Sequence, residues 1–67
     1  MDVKEFVERN TRIAAALDAV AKRMENMAWL GTAHTDNPNF VDLLNAQDFL
    51  IERAEKLLDV AQREGLT

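Results

Sequence analysis

The sequence predicts an all-α fold, an antiparallel two-helix hairpin that dimerises into a four-helix bundle, on three observations. Phe6, Asn10, Ile13, Leu17, Val20, Met24 and Met27 recur at alternating steps of four and three, the spacing of one helix face seeking a partner surface. Leu43, Gln47, Leu50, Ala54, Leu57 and Ala61 repeat that spacing later in the chain. Between the two series a helix-stop signal at Gly31 is followed within a few residues by a helix-start signal at Asn37 and Pro38, so the helices must run antiparallel.

Each element has its own local reasons. Asp2 followed by Glu5 fits a capping box, the Asp2 side chain accepting from a free amide of the first turn and Glu5 reaching back. Helix 1 is therefore expected over about residues 3–30. Alanine is dense through its middle, at Ala14, Ala15, Ala16, Ala19 and Ala21, which favours helix and lets a neighbouring helix approach closely. Glu5 and Arg9, Glu8 and Arg12, and Asp18 and Lys22 stand four apart with the acid first, each pair adding about 0.2–0.5 kcal/mol. Gly31 can take the left-handed conformation that closes a helix, and residues 31–37 form the turn. Asn37 as N-cap and Pro38 at the first helical position start helix 2, which runs to about residue 64, where Gly65 stops it. Each helix is then roughly 40 Å long.

With 67 residues the chain is expected to be one domain, residues 1–67. Below roughly 70–80 residues a single core supplies only about 3–5 kcal/mol, and such chains usually add disulfides, a metal or a second copy of themselves. Cysteine is absent and there is a single His, which leaves a second copy as the expected source of stability. Twelve acidic side chains against eight basic give a net charge of −4 with the signs interspersed. Duplex binding calls for a net basic face, so no nucleic-acid partner is expected. The longest apolar run, Ile13 to Leu17, is too short to span a bilayer or to form a signal-peptide core; no membrane partner is expected, and the expected location is cytoplasmic.

Helix 2 carries more apolar surface than one neighbour can cover. Leu43, Leu50, Leu57, Ala54 and Ala61 form the centre of its sector, with Phe40, Leu44, Ile51 and Leu58 on one shoulder and Ala46, Phe49 and Val60 on the other. A helix packed on a single partner needs a stripe of roughly 100°, and this sector is wider than half the circumference, so a second subunit is the expected further neighbour. Leu43, Leu50 and Leu57 are assigned to the dimer core. Asn10 and Gln47 occupy seam positions, where a lone polar residue costs stability and fixes register or oligomer number. Trp29 and Leu30 project off the helix 1 stripe, Trp29 either covering the hairpin end or anchoring an interface. Phe49 and Val60 lie at the margin where apolar residues give way to Asp42, Arg53 and Lys56. Trp29, Phe49, Val60 and Arg53 are therefore the expected contacts with a different protein.

No chemical site is expected: no catalytic residue, no metal ligand set and no cofactor. His34 stands in the turn with Asp36 two residues on, but no further His or Cys completes a metal site and no nucleophile is marked beside it. Trp29-Leu30-Gly31 at a helical tip resembles the W-x-G turn of the secreted WXG100 proteins over those three residues, although those chains are longer and carry a Tyr in their export signal, which is absent here. Ala46-Gln47-Asp48-Phe49-Leu50 and Ala61-Gln62-Arg63-Glu64-Gly65, with the small size and acidity, resemble the helical-hairpin dimers that phages encode to inhibit host proteins, including quorum-sensing anti-activators. That resemblance implies a non-enzymatic inhibitor, anti-activator or adaptor that binds a host protein; a purely structural bundle and a small-ligand binder at the turn are the alternatives.

Overall fold

The structure, a computed structural model, describes residues 1–66; Thr67, the last residue of the expected domain, lies outside the described residues. Two α-helices, α1 (Val3–Trp29) and α2 (Pro38–Arg63), pack against each other as a hairpin in a rod with extents of 45 × 16 × 13 Å.

The helix ends are closed by their own residues. Asp2 Oδ1 accepts a hydrogen bond from the Glu5 amide at 2.7 Å, satisfying one of the orphan donors of the first turn. The return half of the expected capping box is not made. Glu5 gives its carboxylate to Arg9 Nη2 at 2.6 Å instead, because a guanidinium four residues on offers a charge-assisted bond. At the other end of α1, Gly31 sits at φ 73°, its N–H donating to the Ala28 carbonyl and the Thr32 N–H to that of Met27. Gly65 at φ 75° closes α2 the same way, with the Gly65 N–H on Gln62 and the Leu66 N–H on Ala61. This double bond pattern caps the last carbonyls, and the left-handed backbone at its centre is the conformation glycine adopts without steric cost.

Asn37 ties the turn to α2. Its Oδ1 accepts from the Asn39 amide at 3.1 Å while its Nδ2 donates to the Thr32 carbonyl at 3.0 Å. At the opposite end of the rod the Met1 ammonium donates to Glu64 Oε1 at 2.9 Å, and the Met1 side chain is only 6% exposed. The hydrogen bond and charge of Glu64 hold that ammonium's pKa above its ordinary value.

A pair of helices cannot enclose much. Among the described residues only Leu57 and Ala61 are buried; Phe6, Ile13, Leu17, Val20 and Met24 on α1 and Leu43, Leu50 and Ala54 on α2 are half-buried. The chain exposes 5087 Å², whereas a compact monomer of its mass exposes about 4300 Å². Val3, Val7, Trp29, Leu30, Phe49, Ile51, Leu58 and Val60 all stand substantially in solvent.

Candidate functional site

The seam divides the remaining surface into two lateral faces with different chemistry. One carries a groove of about 670 Å³ at the end closed by Met1 and Glu64. Ile13 of α1 and Leu50 and Leu57 of α2 supply its apolar floor, and Phe49 and Val60 stand along its α2 bank. Phe49 is 57% exposed. The rim is cationic on both sides, with Arg9 and Arg12 from α1 and Arg53 and Lys56 from α2. Each pair is three residues apart, about one helical turn, so its two side chains emerge on the same side of their helix.

These cations are not equally engaged. Arg9 is paired with Glu5 at 2.6 Å and Lys56 with Glu52 at 3.7 Å. Arg53 has its guanidinium carbon 5.7 Å from the centre of the Phe49 ring, within range of a cation–π attraction that holds the charge over an apolar wall. Arg12 does not form the expected pair with Glu8; neither Arg12 nor Arg53 has a carboxylate within ion-pair distance among the described residues. Arg12 instead lines the groove.

Towards the turn the same face continues as a shallower hollow lined by Arg23, Asn26, Met27, Leu30, Asn39, Asp42 and Leu43. Asp42, expected beside Arg53 and Lys56, therefore belongs to a separate part of the face. Trp29 is 83% exposed at the hairpin tip and does not lie over the turn. Phe49, Val60 and Arg53 line the groove together and Trp29 is not among its lining residues.

Because Arg9, Arg12, Phe49, Arg53 and Val60 share one face, the opposite shoulders of the two helices share the other. There Val3, Val7, Asn10, Ala14 and Ala21 of α1 share one side of the rod with Leu44, Gln47, Ile51 and Leu58 of α2, and the exposed Asp18, paired with Lys22 at 2.9 Å, and Glu25 stand on the same α1 shoulder. Asn10 is exposed and Gln47 half-buried on this side. Arg9 and Arg12 are the groove residues that sequence reasoning did not single out. Their signal was present: a pair of cations three apart on the shoulder of the α1 stripe, level with Phe49 and Val60 once the helices are set antiparallel.

His34 is exposed in the turn, its amide donating to the Thr32 carbonyl and its carbonyl accepting from the Asn37 amide. No group of three His, Cys, Asp or Glu side chains able to hold a metal ion occurs among the described residues. Among the described residues no helix is long and apolar enough to cross a membrane. No protein-family model, curated protein or solved structure matches the chain.

Proposed function

We propose that this chain is a non-enzymatic, cytoplasmic protein-interaction module, an inhibitor, anti-activator or adaptor, that dimerises through the side carrying Val7, Ile51 and Leu58 and binds another protein through the face carrying Phe49, Val60 and Arg53. The observation behind this reading is the apolar area the hairpin leaves in water on both sides of its seam. At about 25 cal/mol per Å² of apolar surface, covering a few hundred Å² contributes as much as the whole core of so small a chain. Stable interfaces bury about 800 Å² per partner, so an interface of that kind would use most of one side of a rod 45 Å long and 16 Å wide. Charge assigns the faces. Two copies meeting groove on groove would set arginines against arginines, whereas the side carrying Val3, Val7, Ile51 and Leu58 has no such cluster of cations to oppose.

Light scattering on a dilution series tests this assignment with Leu58→Asp and Phe49→Asp. The expected outcome is a wild-type dimer, a Leu58→Asp monomer, and a Phe49→Asp dimer of unchanged mass. A wild-type monomer at every concentration sinks the dimer. Loss of the dimer in Phe49→Asp supports instead a structural bundle whose self-association consumes both faces.

A further inference from the structure

The groove at the Met1 and Glu64 end sorts charge as the rest of the surface does not. The chain holds twelve acidic side chains and eight basic ones, yet four basic side chains and no Asp or Glu line the groove. We infer that this groove is a docking site for an acidic amphipathic helix of another protein, its apolar stripe on Ile13, Leu50 and Leu57 and its carboxylates against the cations of both banks. The inference rests on the reading of the chain as an interaction module and adds the chemistry of the partner.

The shape of the charge decides the occupant. An apolar floor with cations on only one side would suit many ligands. An apolar floor with cations on both sides matches an element that is apolar beneath and acidic along both flanks, which is the cross-section of an amphipathic helix laid in a groove. Arg12 and Arg53 have no carboxylate partner among the described residues, so an incoming Glu or Asp gains a charge-assisted bond without displacing an existing one. The net charge of −4 does not oppose this at close range. Screening at physiological salt acts over about 8 Å, so the local cluster dominates once the partner is near. A second copy seated groove on groove is a poor occupant for the like-charge reason given above. Nucleic acid fits less well too, since its phosphates would leave the apolar floor and Phe49 uncovered.

Two synthetic helical peptides provide the test, identical in their Leu and Phe residues at i, i+3, i+4 and i+7 and flanked on both sides by Glu in one and by Lys in the other. With the full chain, the Glu-flanked peptide is expected to bind at least about tenfold tighter than the Lys-flanked one and to weaken as salt rises. Backbone amide shifts should cluster at Ile13, Phe49, Arg53 and Val60. Arg12→Glu with Arg53→Glu should lower that affinity by about tenfold or more, with helical content and dimer mass unchanged; Arg12→Gln with Arg53→Gln replaces it should charge reversal unfold the chain. Equal affinity for the two peptides, no binding of the acidic one, or shifts centred on Ile51 and Leu58 would overturn the inference. So would tighter binding to anionic lipid vesicles or single-stranded DNA than to the acidic peptide, or a dimer that dissociates when the two arginines are reversed. Light scattering on the same samples keeps the two readings apart: a dimer without peptide binding removes only this inference, and a monomeric wild type removes the self-association.

Discussion

Ala61 has no exposed surface at all, and the reason is its size. With only a methyl group beyond the backbone, it leaves α1 room to lie against α2 near the end where Met1 bonds to Glu64. Enlarging it forces the helices apart or drives neighbours off their rotamers. Ala61→Leu is expected to destabilise the fold by about 1–3 kcal/mol despite being more hydrophobic, read as a lower urea midpoint with an unchanged slope. An increase in stability would show that the helices have room to separate there. The alternating spacing alone places Ala61 and Leu57 in the seam, because periodicity reports which side of a helix faces inward. It could not say how far inward. Asn10 shares the seam spacing yet is exposed, since its position falls on the shoulder towards Val7 and Ala14, which nothing in a single hairpin covers. Trp29 shows the same limit: residue type suggested a lid, but with one helix beside it there is no surface at the tip for the ring to cover.

The helices themselves were legible almost to their ends, because capping is local chemistry written in adjacent residues. Asp2, Gly31, Asn37, Pro38 and Gly65 each do what their side chain or backbone freedom allows. Ion pairing was less legible. Asp18 and Lys22 meet at 2.9 Å and Glu5 and Arg9 at 2.6 Å, whereas Glu8 and Arg12 share the same spacing and stay apart, Arg12 lining the groove. Asn37 joins the two elements by bonding in both directions at once, which gives a graded expectation. Asn37→Asp keeps the acceptor that caps α2 but removes the Nδ2 donor to Thr32, and Asn37→Ala removes both. The alanine variant is expected to lose about 1–2 kcal/mol and the aspartate variant less. Chemical denaturation of the two variants side by side checks the order; equal losses would mean that the bond to Thr32, not the cap, carries the effect.

In the proposed dimer, the two polar seam residues on the side of Ile51 and Leu58 predict how two hairpins are related. Asn10 lies about 10 Å from the clasped end of the rod and Gln47 about 14 Å from the turn end, at 1.5 Å per residue from the helix termini. They are therefore placed nearly symmetrically about the midpoint. A twofold axis perpendicular to the rod and passing through that face brings Asn10 of each copy beside Gln47 of the other, two amides that satisfy each other twice per dimer. A twofold axis along the rod would instead set each amide against its own copy. Within one chain the two residues are about 15 Å apart along the axis, far beyond the roughly 7 Å that a disulfide can bridge. Asn10→Cys combined with Gln47→Cys is therefore expected to oxidise to a covalent dimer, while Asn10→Cys alone stays uncrosslinked. Non-reducing electrophoresis reads the result directly. A crosslinked dimer from Asn10→Cys alone would instead establish the parallel arrangement, with Asn10 on the axis. In the antiparallel arrangement the cationic grooves of the two copies lie at opposite ends of the bundle and face outward, so one dimer presents two separate docking sites. Titration of the oxidised dimer with the acidic peptide should then saturate at one peptide per chain, and saturation at one per dimer would mean that the grooves are close enough to share an occupant.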